Sequence, residues 1–222
     1  MKFTSILLTF CSIFAFASCA QNESKITNPK PLQKMTETNT LPSTDTQEVA
    51  ILGGGCFWCV EAQYMLLNGV SKVESGFSGG TTVNPSYKDV CTGTTGHAEV
   101  VKVTFNPQII SYDEILAAFW QMHDPTQLNR QGEDVGTQYR SVIFYTNEQQ
   151  QQIAEKYKKQ LNDEKVYSND VVTEIAPFTA FYAAEDYHKN YYNNNPNEGY
   201  CRLVIQPKVE KFKKIFEAKL KK

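Results

Sequence analysis

The sequence predicts a single α+β domain of two layers, in which helices pack on one mixed sheet and long glycine-rich loops join the elements. Short apolar runs typical of strands alternate irregularly with helical patterns, and several loops are too long for a regular doubly wound sheet. The chain has 222 residues, 41% of them hydrophobic, and a formal net charge of -2. This composition is typical of a globular protein with one core plus extensions, and the balanced charge gives no reason to expect nucleic-acid binding.

The first segment, residues 1–18, has the pattern of a lipoprotein-type signal peptide. Lys2 provides a short positive region, and Phe3–Phe16 is an apolar run too short to span a bilayer stably. Small residues then surround Cys19, so we expect Cys19 to become the lipidated amino terminus. Ordinary cleavage after Ala20 is the alternative.

Residues 19–47 are predicted to be a flexible polar linker. They are rich in Asn, Thr, Ser and Pro, and their isolated apolar residues bury too little surface to offset the entropy of ordering the chain. The folded domain is therefore expected at residues 48–222.

The first half of the domain is predicted to contain three strands and one helix. A strand at Val49–Leu52 ends in three consecutive glycines, which is typical of a tight turn. A helix at Phe57–Leu67 follows and is closed by an Asn-Gly pair. Strands are then expected at Val70–Phe77 and Glu99–Phe105, separated by the long loop Ser78–His97, whose length indicates a functional role.

The second half of the domain begins with a helix whose start is clearly marked. Ser111 and Glu114 have the spacing of a capping box, which predicts a helix at Tyr112–Met122. The polar loop His123–Gln138 follows. The remaining elements are expected to be a strand at Arg140–Tyr145, a helix at 148–161, a strand around Val171–Pro177, a short aromatic helix at about 184–192 and an amphipathic helix from about Pro207.

The pair Cys56 and Cys59 lies where the first strand turns into the first helix. Unpaired N–H groups and the positive end of a helix favour a thiolate, so we expect the pKa of Cys56 to be lowered. Cys59 lies one turn along, within disulfide reach. From this spacing alone a redox-active helix, a structural disulfide and an inert pair all stay open, whereas zinc would need two further ligands.

Six motifs resemble those of the peptide methionine sulfoxide reductase A family, in the family's order. They are distributed along residues 50–205 and are Gly55–Trp58, Gly93–Val100, His123–Thr126, Asn129–Gly132, Gly136–Ser141 and Gly199–Cys201. Members of this family reverse the oxidation of methionine. The resemblance implies reduction of methionine-S-sulfoxide, free or in proteins.

The resemblance also implies a role for each matching residue. Cys56 would attack the sulfoxide sulfur and become a sulfenic acid, and Glu99 would protonate the oxygen, which requires burial to raise the pKa of its carboxyl. The other implied site residues are Tyr87 and Tyr139, which hold the oxygen, Asp134 near the pocket, and Phe57 and Trp58, which wall an apolar slot for the methyl group.

A second thiol must resolve the sulfenic acid as an intramolecular disulfide. Cys201 matches the family's recycling cysteine and is expected to be the principal resolver, with Cys59, where most relatives carry glycine, as an alternative or relay. A thioredoxin-type protein, or dithiothreitol in vitro, would then reduce the disulfide. No bound cofactor or metal is expected. Cys91 is interpreted as structural and His188 as an exposed helix residue.

The expected partners are oxidised proteins or peptides and the thioredoxin-like reductant, and the protein is expected to be a monomer. The signal predicts a bacterial lipoprotein anchored to a membrane by its lipid only, facing the periplasm or the cell surface, with a soluble periplasmic protein as the alternative. Two other functions stay open: a thiol–disulfide oxidoreductase that acts on exported proteins, and a non-enzymatic surface binding module.

Overall fold

The computed structural model describes residues 47–222. The predicted signal peptide, Cys19 and nearly all of the predicted linker lie outside the described residues. Within the described part, no helix is long and apolar enough to cross a membrane.

A six-stranded mixed sheet forms the centre of the domain, in the order β7-β6-β1-β3-β2-β8. Its neighbours pair antiparallel except β6 and β7, which are parallel. Two further strands form a small separate hairpin. The strands are β1 (Glu48–Gly54), β2 (Val70–Ser78), β3 (Ala98–Phe105), β4 (Arg130–Gln131), β5 (Asp134–Val135), β6 (Ser141–Tyr145), β7 (Glu174–Pro177) and β8 (Phe181–Ala183). The predicted fold class is therefore confirmed.

The helices cover one face of this sheet, and short turns of other helix types lie between them. The α-helices are α1 (Phe57–Tyr64), α2 (Tyr87–Cys91), α3 (Tyr112–Met122), α4 (Glu148–Asp163), α5 (Tyr191–Asn194) and α6 (Gln206–Ile215). The 3₁₀ turns are Thr137–Tyr139, Asp186–His188 and Glu217–Lys219, and a π-helical turn, Cys201–Ile205, leads directly into α6.

The strand periodicity separates the core into two parts. Successive side chains of a strand point to opposite faces of the sheet. On β1 and β3, the face against the helices therefore carries Ala50, Leu52, Val101 and Val103. The opposite residues of the same strands form a smaller cluster with β6, consisting of Ile51, Ala98, Val100, Val142 and Phe144. Both faces of the central strands are therefore buried.

Several predicted boundaries were wrong for identifiable reasons. Helix α1 ends at Tyr64, because the chain then turns so that Leu67 pairs with Leu220 near the carboxyl terminus. The predicted aromatic helix at 184–192 is split into a 3₁₀ turn and α5, because Asn190 between them has a positive φ of 51°. The loops 78–97 and 123–138 contain α2 and the β4–β5 hairpin.

Candidate active site

Cys56 and Glu99 meet because β1 and β3 run antiparallel. The register pairs Leu52 with Val101, so the carboxyl end of β1 lies beside the amino end of β3. Cys56 follows β1 and is the N-cap residue of α1, and Glu99 is the second residue of β3. The backbone N–H of Phe57 donates to Glu99 Oε2 over 3.0 Å. The sheet thus fixes a carboxyl group beside the cysteine.

Burial gives Glu99 the properties of an acid at neutral pH. Its side chain is 1% exposed. Loss of hydration raises the pKa of its carboxyl to about 8. The hydrogen bond from Phe57 lowers this pKa, but its effect is smaller. The charge of nearby Asp134 raises it further. Glu99 therefore carries its proton at pH 7 and is placed to donate it.

The expected lowering of the Cys56 pKa was wrong. Burial raises the pKa of the Cys56 thiol well above its ordinary value, and the hydrogen bond with Cys59 and the charge of Glu99 act in the same direction. Cys56 is 7% exposed, so the loss of hydration outweighs the favourable end of α1. The resting cysteine is a thiol, and its proton must leave during the reaction.

Two tyrosines from separate loops approach the same carboxyl. Tyr87 begins α2, where its backbone N–H donates to Glu185 Oε1 over 3.0 Å, and Tyr139 ends a 3₁₀ turn. Both are half-buried. Burial raises the pKa of both phenols, and the charge of Glu99 raises them further. Both hydroxyls therefore stay protonated and remain hydrogen-bond donors near Glu99.

Aromatic rings cluster around the two residues that follow Cys56. The Phe57 ring is buried and lies 6.2 Å from Tyr87, whereas the half-buried indole of Trp58 stacks on Tyr191 at 3.7 Å. Such walls suit a small apolar group. The stack of Tyr191 on Trp58 was not predicted from the sequence.

His188 is buried, so its predicted exposed position was wrong. Its ring lies 4.4 Å from that of Tyr87, and its Nδ1 accepts a hydrogen bond of 3.1 Å from the indole N–H of Trp58. The proton of the neutral imidazole therefore lies on Nε2, which faces Glu185 Oε2 at 3.9 Å. His188 thus fixes the orientation of the indole.

Further polar groups lie beside Cys59. The hydroxyl of Tyr200 donates to Asp134 Oδ2 over 2.7 Å and lies 4.0 Å from Cys59 Sγ. The ammonium of Lys208, on α6, lies 3.7 Å from the same sulfur. Tyr200 lies within a matched motif but was given no role of its own, and Lys208 was not singled out by any sequence pattern.

All four cysteines of the described chain are free thiols. Cys56, Cys59 and Cys201 are buried, and Cys201 begins the π-helical turn directly after Tyr200. Cys59 is among the groups that shift the pKa of Cys201, so the two sulfurs belong to one neighbourhood. Cys91 instead lies exposed at the end of α2.

The structure therefore brings together the predicted residues around Cys56, namely Glu99, Tyr87, Tyr139, Asp134, Phe57, Trp58, Cys59 and Cys201. In residues 47–222 no group of three or more His, Cys, Asp or Glu side chains is arranged to hold a metal ion. Around Cys56 these residues offer thiols, one protonated carboxyl and tyrosine hydroxyls.

Comparison with known sequences identifies a single family. The family model described as "Peptide methionine sulfoxide reductase" matches residues 48–220. The chain is 59% identical over 174 residues to the peptide methionine sulfoxide reductase MsrA of Saccharolobus solfataricus, covering 78% of this chain and 97% of that protein. It is 52% identical over 194 residues to the MsrA of Deinococcus radiodurans, covering 87% and 94%.

Solved structures give the same result. Methionine sulfoxide reductase A of Corynebacterium diphtheriae superposes with a TM-score of 0.63 at 38% identity, covering 71% of this chain and 78% of that one. Mxr1 from Saccharomyces cerevisiae in its reduced form gives 0.66 at 35% identity, covering 70% and 90%.

Proposed function

This chain belongs to the peptide methionine sulfoxide reductase family of oxidoreductases, and from that premise we propose that it reduces methionine-S-sulfoxide, free or in proteins, through a sulfenic acid on Cys56. The observation that carries the proposal is the protonated carboxyl of Glu99 beside the buried thiol of Cys56. A sulfoxide oxygen is a poor leaving group until it is protonated, so this pair supplies both the nucleophile and the acid.

The first step balances without an outside proton. The sulfur of Cys56 attacks the sulfoxide sulfur while Glu99 gives its proton to the sulfoxide oxygen. The thiol proton of Cys56 passes to the carboxylate that this leaves. The S–O bond of the substrate and the new bond between the two sulfurs then break while an S–O bond forms at Cys56. The hydroxyl thereby moves to Cys56 as a sulfenic acid, and methionine is released.

The surrounding groups would orient the sulfoxide. Tyr87 and Tyr139 offer two protonated hydroxyls near Glu99, which supports a role in holding the oxygen. Phe57 and Trp58 supply an apolar wall for the S-methyl group. Because the hydroxyls hold the oxygen and the apolar wall holds the methyl group, the site would accept one configuration at sulfur, and the family resemblance implies the S epimer.

Cys201 or Cys59 then forms a disulfide with Cys56, and water leaves. Both thiols belong to the same neighbourhood as Cys56. A protein dithiol of the thioredoxin type would reduce this disulfide, because the cycle consumes two electrons per sulfoxide and the described residues supply only thiols.

A thiol–disulfide oxidoreductase for exported proteins is the second candidate, supported by the Cys-x-x-Cys spacing at a helix start. Such an enzyme does not require a protonated carboxyl and two tyrosine hydroxyls beside its nucleophile. The presence of Glu99, Tyr87 and Tyr139 favours the reductase.

An assay with a peptide that contains methionine-S-sulfoxide, with dithiothreitol as reductant, tests the choice. Turnover should be lost in Cys56→Ser, while Cys59→Ser/Cys201→Ser, assayed without reductant, should release about one equivalent of methionine and then stop. The R epimer is the matched control and should react far more slowly. Reduction of insulin disulfides without any sulfoxide turnover would instead establish the oxidoreductase.

We also propose that the protein is exported and anchored through a lipid on Cys19, with cleavage after Ala20 and a soluble periplasmic protein as the alternative. The support is the apolar run followed by small residues and a polar linker. Growth with a labelled fatty acid should label the chain, and the label should be lost in Cys19→Ala. An unlabelled mature chain that begins at Gln21 would establish the alternative.

A further inference from the structure

Cys59 carries a cationic neighbour that Cys56 does not share. Lys208 Nζ lies 3.7 Å from Cys59 Sγ, at the edge of a cavity of about 340 Å³. Cys59 is only 2% exposed, so solvent and salt screen this interaction little. The tyrosine hydroxyl of Tyr200, 4.0 Å from the same sulfur, supplies a second polar contact.

The two cysteines of this first helical turn are electrostatically unequal. The hydrogen bond with Cys56 lowers the pKa of Cys59, burial opposes it, and Lys208 and Tyr200 lower it further. The pKa of Cys56 moves in the opposite direction, mainly through burial. The titratable groups that face Cys59 are Cys56, Glu99, Asp134, Tyr200, Cys201 and Lys208. Of the two thiols, Cys59 is therefore the one that loses its proton more readily.

On the basis of the reductase function proposed above, we propose that Lys208 is a positioning residue that holds Cys59 as a thiolate, so that Cys59 is the first thiol to attack the Cys56 sulfenic acid. The S–O bond of the sulfenic acid breaks as the Cys56–Cys59 bond forms, and the departing hydroxide takes the proton of Glu99 and leaves as water. The thiol of Cys201 then attacks Cys59, which forms the Cys59–Cys201 bond and returns Cys56 to its thiol with the proton of Cys201.

The ion pair suits a first resolving step because it acts before any loop moves. Cys59 shares a turn with Cys56, where its N–H donates to the Cys56 carbonyl over 3.0 Å, and residues at this spacing have their Cβ atoms about 5–6 Å apart. The sulfenic acid is consumed at once, before a second oxidant reaches it.

The variant Lys208→Met tests the proposal in a Cys201→Ser background, where only Cys59 resolves. We expect methionine release in the first turnover to be unchanged. Formation of the Cys56–Cys59 disulfide at pH 7 should slow by roughly three- to tenfold. Each unit by which the thiol pKa rises lowers the thiolate fraction about tenfold, but the remaining thiolate is a better nucleophile, which offsets part of the loss. Dimedone should trap more sulfenic acid. Raising the pH should restore the rate, and Lys208→Arg should largely retain it. Lys211→Met, an exposed neighbour on α6, is the matched control.

Thiolate absorbance near 240 nm gives a readout that needs no sulfoxide. The reduced protein should show a thiolate transition that moves to higher pH in Lys208→Met and is absent in Cys59→Ser. An unmoved transition together with an unchanged rate of disulfide formation would overturn the role of Lys208. If no variant released methionine, the reductase function would fail, but the absorbance titration would still decide whether Lys208 holds Cys59 as a thiolate.

Discussion

The indole of Trp58 lies flat against the ring of Tyr191, with the two centroids 3.7 Å apart and 7° between the planes. The same indole donates to the buried imidazole of His188. Tyr191 belongs to α5 and His188 to the preceding 3₁₀ turn. The carboxyl-terminal part of the domain therefore holds Trp58 in place. The wall of the candidate site is therefore built from both ends of the domain.

Removing the stacked ring should weaken substrate binding. We expect Tyr191→Ala to raise KM for a sulfoxide peptide by roughly three- to tenfold, since an aromatic pair contributes about 0.5–1.5 kcal/mol beyond its buried area. Steady-state kinetics measure this effect. Tyr191→Phe keeps the stack and should behave like the unmodified protein. If Tyr191→Phe lost as much as Tyr191→Ala, the hydroxyl rather than the stack would matter.

The acid role of Glu99 predicts the alkaline limb of the pH profile. Its carboxyl is protonated below a pKa of about 8 and loses that proton as the pH rises through it, so single-turnover methionine release should fall above pH 8. Glu99→Gln keeps an acceptor for the Phe57 N–H but has no proton to give, and it should lose on the order of 10²- to 10⁴-fold in rate. Its residual activity should lack the alkaline limb. A limb that persists in Glu99→Gln would assign it to another group.

His123 should make the fold sensitive to acid. Its ring is buried between the Phe119 carbonyl, which accepts from Nδ1 over 2.9 Å, and the Ser141 hydroxyl, 2.7 Å from Nε2. Burial lowers its pKa from 6.5 to about 4, so its contribution to stability is complete above pH 6.5 and is lost as the pH falls towards 4. The loss amounts to about 3 kcal/mol.

Urea unfolding between pH 4 and 7 measures this loss. In His123→Gln the free energy of unfolding should depend less steeply on pH. Because that variant removes two buried hydrogen bonds, the ring's own NMR titration in the unmodified protein provides an independent test. A ring that titrates near 6.5 would contradict the prediction.

Gly55 should tolerate no side chain. Its φ is +90°, and an added Cβ would lie 2.7 Å from the Gln131 side chain. The amide of Gln131 is fixed in place, because it accepts from the N–H of Asp124 and donates to the carbonyl of the same residue. We expect Gly55→Ala to lower the free energy of unfolding by about 1–3 kcal/mol and to reduce kcat, because Cys56 is the next residue. Gly199→Ala, where an added Cβ meets open space, is the control and should leave Tm nearly unchanged.

Local signals predicted the elements that depend on local chemistry. The Ser111–Glu114 capping box predicted α3 with the observed bounds, and the apolar runs predicted β1, β2 and β3 to within one or two residues. A similar Ser-x-x-Asp pattern begins α2 at Ser86, but the surrounding Gly, Thr, Asn and Pro concealed it.

The features that sequence reasoning missed depend on contacts between distant segments. β8 has three residues and exists because it pairs with β2. Lys208 lies 149 residues from Cys59 along the chain. The raised pKa of Cys56 also reflects burial by the assembled fold, which the helix position alone does not report. The family resemblance predicted that Cys56 and Glu99 belong to one site. The structure shows the physical cause, which is the antiparallel register of β1 and β3.

The central sheet ends in unusually short strands, with four residues in β7 and three in β8, and Pro177 closes β7. An edge of this kind leaves few free backbone groups for a foreign strand to pair with, and proline removes a donor. If the protein acts on methionine sulfoxide in proteins, as proposed above, its substrates include partly unfolded chains with uncovered strands. The short edges would offer such chains few backbone groups for pairing.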